Sequence, residues 1–414
     1  MRSLFLKQLI VYLAFFISPL AAQEVDLIIK GGHVIDPKNG IDAVMDVSID
    51  EGKILAVAED LGSDAFQVID ATGTYVVPGL IDLHGHNFFG TEADHYLSNS
   101  YTALPPDGFT FRAGVTTIVD AGGAGWRNFK TFKNQTIDHS RTRVLAFLNI
   151  VGSGMAGGAI EQNLADMDAK LTALEAKANP DYVVGIKVAH YMGPEWMPVE
   201  QAVKAGEMAG IPVMVDFGGN EPALSIETLF FDKLRPGDIF THCFANVGRR
   251  EPVVDPTTRK VRPFVFEAQK RGIIMDIGHG GGSFLWDQAI PALEQGLKPN
   301  TISTDLHTGS MNGGMKDMAN VMSKCLYLGM SMPEIIMAST WKPAQVINRP
   351  ELGHITPGAE ADVAVLRVVD GDFGYIDTKG WKVMGTQKII CELTLREGRV
   401  VWDLNGMSRP QWEK

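Results

Sequence analysis

Between about residues 81 and 349 the chain repeats one pattern, a short and nearly continuous apolar run followed by a longer stretch with apolar residues at three-to-four spacing. The apolar runs are "VPGLIDLHG", "GVTTIVDAG", "RVLAFLNIV", "VVGIKVAH", "IPVMVDFGG", "DIFTHCF", "GIIMDIGHG" and "TISTDLH". A strand that is apolar on both faces has to be covered on both faces, which is the situation in a parallel sheet flanked by helices. Stretches such as "AIEQNLADMDAKLTALEAKA" and "PVEQAVKAGEMAG" supply the helical periods between the strands. Eight strands over this length match an α/β protein built as a (β/α)8 TIM-like barrel of roughly 250 residues. Chemistry in such a barrel sits at the C-terminal strand ends, so the polar residue that closes each run is the one to read.

The two ends of the chain follow a different rule. Residues 24–78 read as short alternating strands separated by "GG", "PKNG", "EGK" and "ATG" turns, which predicts a small antiparallel sheet. The same style returns in "HITPGAEADVAVLRV" and "KIICELTLREGRVVW", so both ends are expected to complete one β-sandwich. The chain therefore divides into a leader at 1–22, a sandwich part at 23–78, the barrel at 79–349 and a second sandwich part with tail at 350–414. Arg2 and Lys7, the apolar run Leu9 to Phe16 and the small pair Ala21 and Ala22 have the layout of a secretory signal peptide. Export to the periplasm or beyond is the expected localisation. A net charge of −12 argues against nucleic acid or an anionic membrane surface as partner. A small-molecule substrate is the expected partner, with homo-oligomerisation left open. Cys243, Cys325 and Cys391 form neither a disulfide framework nor a zinc knuckle and are expected to be free thiols.

The first strand carries the strongest chemical signal. His84 and His86 leave an apolar strand two residues apart, and because strand side chains alternate, both imidazoles point the same way. Two convergent imidazoles can hold one zinc-like ion. Lys187 lies within the apolar run "VVGIKVAH", where an unpaired ammonium costs several kcal/mol. Burial lowers a lysine pKa, and a neutral amine can add carbon dioxide to become a carbamate.

The stretch "PGLIDLHGH", together with "GVTTIVDAG", "GIK", "MDIGHGGGSF", "TISTDLHTGS" and "MASTWKPA", resembles the amidohydrolase superfamily of metal-dependent hydrolases, in its amidohydrolase/deacetylase, dihydroorotase-like branch. The resemblance implies a barrel carrying one or two divalent ions at its strand ends, with zinc first and manganese or iron as alternatives. It implies His84 and His86, carboxylated Lys187, His242 of the sixth strand and Asp305 of the eighth as metal ligands, with Asp305 also shuttling a proton. The fifth strand departs from the pattern, since Asp216 stands where the family has histidine. Either Asp216 ligates a second ion with the carbamate and His242, or it only hydrogen-bonds to a ligand.

Around this set the sequence offers further candidates. His279, in the flexible "GHGGG" turn, is read as facing the substrate and polarising its carbonyl. His307 and Asn312 are placed at the pocket rim, and Arg127 could pair with a substrate carboxylate. His190, three residues past Lys187, is a conceivable substitute ligand, but strand parity is against it and favours a substrate contact or a surface role. The mechanism expected is hydrolysis of an amide or ester by metal-activated hydroxide, with Asp305 as general acid and base. The leading reading is a secreted deacylase acting on an N-acyl amino acid or an O-acyl hydroxy acid. A ring-opening hydrolase for a cyclic amide or lactone, and a lyase or non-catalytic binding protein on the same barrel, are the alternatives.

Overall fold

The computed structural model describes residues 25–216, 223–248 and 250–412, so the expected signal peptide lies outside the described residues. The chain opens with β1 (Val25–Asp36), β2 (Ile41–Asp50), β3 (Lys53–Ala58), β4 (Ala65–Asp70) and β5 (Tyr75–Pro78). It then runs through β6 (Leu80–Gly85), β7 (Val115–Gly125), β8 (Arg143–Asn149), β9 (Val183–Val188), β10 (Val213–Val215), β11 (Ile239–Phe240) and β12 (Ile274–Met275), with helices between most of them. It closes with β13 (Val363–Ile376), β14 (Lys382–Arg396) and β15 (Arg399–Asp403).

Strands β6 to β12 form a seven-stranded sheet in chain order, and every pairing in it is parallel. Alternation sends the side chains two ways. Ile118, Ala146, Leu148, Val213 and Val215 pack in the core shared with the helices. Ile81, Leu83, Val119, Leu145, Phe147, Met214, Ile239 and Ile274 gather in a separate cluster with Ala344, Val346 and Ile347. Residues 301–306 lie between the two edge strands: Thr301 bridges Asp276 just past β12, and Leu306 bridges Gly85 of β6, both in parallel register.

The remaining strands form one eight-stranded sheet in the order β15-β14-β13-β5-β1-β2-β3, with β4 also paired to β1. Both chain ends contribute to it, through the antiparallel pairing of β13 with β5. The expected antiparallel β-sandwich is corrected in two respects: the strands of both chain ends form one continuous sheet, and β1 runs parallel to both β4 and β5, so that sheet is mixed. The expected "GG" turn is instead an irregularity inside β1, between Ile29 and Gly32, and "ATG" joins β4 to β5, which pair with successive parts of β1 in the same direction. Arg143 of β8 pairs with Asp362 at 2.9 Å and with Glu360, tying this sheet to the parallel one.

One expected helix is shorter than its sequence pattern. Residues 158–166 form two short 3-10 turns, and the helix Ala169–Ala178 starts only where the Asp168 carboxylate accepts the amides of Lys170 and Leu171 at 2.8 and 2.9 Å. All three cysteines are buried and unpaired, as expected. No helix among the described residues is long and apolar enough to cross a membrane.

Close packing across the parallel strands leaves a testable mark. A Cβ on Gly185 of β9 would lie 2.2 Å from the Phe147 ring and 2.9 Å from the Pro212 carbonyl oxygen. Gly185→Val should therefore lower the unfolding free energy by about 3 kcal/mol through overpacking, read as a shift of the urea midpoint. An unchanged midpoint would mean that β8 and β9 are not packed this tightly.

Candidate metal centre

The strand ends converge because the backbone bends there. His242 follows β11 with φ 58° and Asp305 ends the segment beside β6 with φ 52°. Non-glycine residues occupy this left-handed region only when their surroundings enforce it, and such residues cluster at functional sites. His84 comes from the end of β6, His86 from just beyond it, Lys187 from β9 and Asp216 from the residue after β10.

These six side chains meet. His86 Nε2 lies 2.9 Å from Asp305 Oδ1, and His84 Nε2 lies 3.6 Å from the same oxygen. Lys187 Nζ is 3.1 Å from His84 Nε2, and its other near neighbour is the Met214 sulfur at 3.7 Å. His242 Nε2 lies 3.2 Å from Asp216 Oδ2, and the His84 and His242 rings are 5.0 Å apart. Ligand atoms of His84, His242 and Asp305 all fall within 4.8 Å of one another, and all three residues are buried. Imidazoles, carboxylates and a desolvated amine in one small volume are a donor set that fits a divalent ion.

A second layer of hydrogen bonds aims the donors. Gly278 O can only accept, so His242 Nδ1 donates to it at 2.5 Å and leaves Nε2 free for the centre. Thr241 Oγ1 donates to Asp276 at 2.8 Å and stands 2.9 Å from His84 Nδ1, which orients that ring in the same sense. Asp276 also accepts from Thr301 and Ser303 at 2.6 and 2.7 Å. Asp82 accepts from the His84 amide and from Thr304, so β6 is joined to residues 301–306 under the site.

Charge at the centre is set by burial against neighbours. Burial pushes the Asp82 carboxyl up to about 7 and holds His84 well below the usual imidazole range, assisted by the Lys187 charge. Lys187 is likewise lowered by burial, against the pull of Asp216 and Asp305. A lowered lysine is the form that accepts carbon dioxide. For Asp216 and Asp305 burial alone would raise the pKa. His242 for the first, and His84 and His86 for the second, outweigh it and keep both carboxylates ionised.

The remaining expected residues divide. His307 stands at the site, with Nε2 3.9 Å from Asp305 Oδ2, while its Nδ1 accepts the Gly309 amide at 3.1 Å. His279 does not face a substrate. Its ring is fully buried and stacked on Phe284 at 4.5 Å, its Nε2 meets Lys324 Nζ at 2.6 Å, and its Nδ1 meets Gly280 O at 2.9 Å. Sequence reasoning missed Lys324, whose ammonium also donates to the Gly314 and Ile376 carbonyls; only a lysine inside the apolar pattern of helix Met318–Tyr327 hinted at it. Arg127 is also withdrawn, stacked on Trp126 at 4.0 Å and paired with Asp166. Asn312 is exposed and donates to Thr308 O within its own helical turn. His190 was assigned away from the ligands on strand parity, but β9 ends at Val188 and His190 has φ 58°, so parity no longer applies.

Comparison with known proteins concerns the chain as a whole. Residues 286–390 match the model of the amidohydrolase family. A deacetylase of Brucella anthropi is 34% identical over 348 residues, covering 82% of this chain and 83% of that protein. Among solved structures, an adenine deaminase superposes with a TM-score of 0.81 at 29% identity, over 92% of this chain and 100% of the other. A dihydroorotase gives a TM-score of 0.79 at 29% identity, over 91% and 99%.

The Lys324 clamp makes stability depend on pH. Burial pushes its ammonium down to about 7, whereas an unfolded lysine titrates near 10.4. Between these values the folded chain holds fewer protons than the unfolded one, so stability falls as pH falls through that window, by an amount on the order of 5 kcal/mol in full. Urea unfolding at pH 7 and pH 9.5 should show Lys324→Met gaining less on the alkaline side than the parent protein. Equal gains would contradict a buried, destabilised ammonium.

Proposed function

Because the chain belongs to the amidohydrolase family, we propose that it is a secreted, metal-dependent deacylase acting on an N-acyl amino acid or an O-acyl hydroxy acid. The reading takes residues 1–22 as an export signal and residues 301–306 as the eighth strand of a closed barrel. The observation that carries it is the meeting of His84, His86, Lys187, Asp216, His242 and Asp305 at one set of strand ends.

In this reading His84, His86, a carboxylated Lys187 and Asp305 would hold one divalent ion, and Asp216 and His242 would help to hold a second. A divalent ion there supplies Lewis acidity, bringing water close to ionisation at neutral pH and polarising a carbonyl. Asp305 holds and moves the proton. Its neighbours keep it ionised, so it takes a proton from water as the oxygen attacks the acyl carbon and returns that proton to the departing nitrogen or oxygen. His307 takes the role first assigned to His279. With Nδ1 accepting from a backbone amide, its neutral ring carries the proton on Nε2, beside Asp305, where it can donate to the oxygen that gains charge.

A cavity of about 860 Å³ supports a small-molecule substrate; it is lined by Tyr96, Ala156, Ile160, Glu161, His190 and Met192 among others. Among the described residues that line it there is neither arginine nor lysine, so a substrate carboxylate would be held elsewhere or by neutral donors. The dihydroorotase likeness supports a second reading, the opening of a cyclic amide, which yields one product where deacylation yields two.

Two outcomes test the proposal. Asp305→Asn should cut kcat by roughly a thousandfold or more on whichever acyl substrate turns over in a screen with products counted by mass spectrometry. Prolonged chelation should abolish turnover, and zinc or manganese should restore it. Turnover that survives chelation would refute a metal-dependent hydrolase.

A further inference from the structure

An aspartate at the end of β10 leaves the second ion of the proposed pair with one imidazole, His242, and one carboxylate, Asp216. A further imidazole stands against the same carboxylate. His190 lies two residues beyond β9, and its backbone is left-handed with φ 58°, as it is at His242 (58°) and Asp305 (52°). Three strand exits thus use one backbone device, and two of the three carry proposed ligands.

The His190 ring is gripped at one end only. Nδ1 lies 2.8 Å from Glu161 Oε2. Glu161 is almost fully buried, and its other oxygen accepts the Gly157 amide at 2.6 Å. With Nδ1 turned to Glu161, the other ring nitrogen, Nε2, is the one left for the centre; burial opposes the charged ring but Glu161 and Asp216 favour it, and an ion bound at Nε2 takes the place of its second proton. Metal-bound histidines are held in this way, by a carboxylate or carbonyl behind the ring, and His242 shows the same arrangement with Gly278 O.

The Asp216 carboxylate stands between the two imidazoles, and only the His190 gap is too long for a direct hydrogen bond. His190 Nε2 is 3.6 Å from Asp216 Oδ2, and His242 Nε2 is 3.2 Å from the same oxygen. Charge-assisted hydrogen bonds close to about 2.8 Å. Two donors each about 2.1 Å from one tetrahedral ion stand about 3.4 Å apart; the two gaps to Asp216 fall on either side of that value, whereas the donors that already lie within 4.8 Å of one another are those of His84, His242 and Asp305.

We propose that His190 is a metal ligand, holding the second divalent ion together with Asp216 and His242, with Glu161 orienting it. The inference rests on the metal-dependent reading above. The β9 segment then contributes two ligands, Lys187 from within the strand and His190 from its exit, and the imidazole that β10 lacks comes from its neighbour. Two histidines and a carboxylate suit iron, manganese or zinc better than magnesium.

The test uses the full chain, stripped and reconstituted with zinc and, separately, with cobalt. His190→Asn is the primary variant, because asparagine tolerates the left-handed backbone and removes the imidazole. The parent protein should retain two equivalents of zinc after dialysis and His190→Asn about one, with a matching loss of cobalt absorption. Glu161→Gln should keep both sites but weaken the second ion roughly 10- to 100-fold. Thermal melts of the stripped proteins check that each variant folds, and Glu161→Gln stands in if His190→Asn does not. A folded His190→Asn protein with two equivalents at parental affinity overturns the proposal. A parent protein that binds a single equivalent overturns it too, leaving metal-dependent hydrolysis intact, whereas a parent protein that binds no ion and turns over regardless brings down the functional reading as well.

Discussion

The centre of this molecule is organised by the cost of burying charge. Lys187 and Asp305 lie in a volume from which water is largely excluded, with Asp216 half-buried at its edge, and the nearest groups to the lysine nitrogen are an imidazole and a thioether. An isolated ion in such surroundings costs many kcal/mol, so each group is tolerable only because the others are present. Burial lowers the lysine and the His84 imidazole, while neighbouring imidazoles hold the two carboxylates ionised. Neutral nitrogen donors beside ionised oxygen donors are what a divalent cation needs, which is why the same electrostatics that would penalise an empty fold favour a loaded one.

That balance requires donors from distant parts of the chain to hold their positions to fractions of an ångström. Parallel strands deliver them to the same end, and left-handed residues at His242, Asp305 and His190 re-aim the exits. Beneath them, Asp82 and Asp276 collect hydroxyl and amide donors from Thr241, Thr301, Ser303 and Thr304. Asp120 gathers the amides of Asn87, Phe88 and Gly123 in the same manner, stiffening the loop that follows His86. Lys324 anchors the Gly278–Gly280 turn through His279, and that turn in its turn supplies the carbonyl that orients His242. A buried polar network of this kind is effective only when every member is satisfied.

The part of the site legible in the sequence is the part carried by strand ends. His84, His86, Lys187, Asp216, His242 and Asp305 could be picked out because a polar residue closing an apolar run has few places to point. The directions of His279, Arg127 and Asn312 do not follow from the sequence, because they lie in turns or helices, where a single partner off the strand pattern decides the direction. Lys324 claims His279, Asp166 claims Arg127, and Asn312 turns back on Thr308. His190 failed for a narrower reason: alternation is a property of extended backbone, and one left-handed residue cancels it.

The order of apolar runs by itself determined a parallel sheet flanked by helices, a second sheet drawn from both chain ends, and the family of the chain, since periodicity and local motifs are written in adjacent residues. Only the tertiary structure decided that β1 lies parallel to β4 and β5, that a buried lysine occupies the expected carbonyl-polarising histidine, and that Glu161 turns His190 toward Asp216. Those outcomes depend on pairings between residues tens of positions apart, whose energies come from desolvation and hydrogen bonding in the folded interior and leave no local trace along the chain.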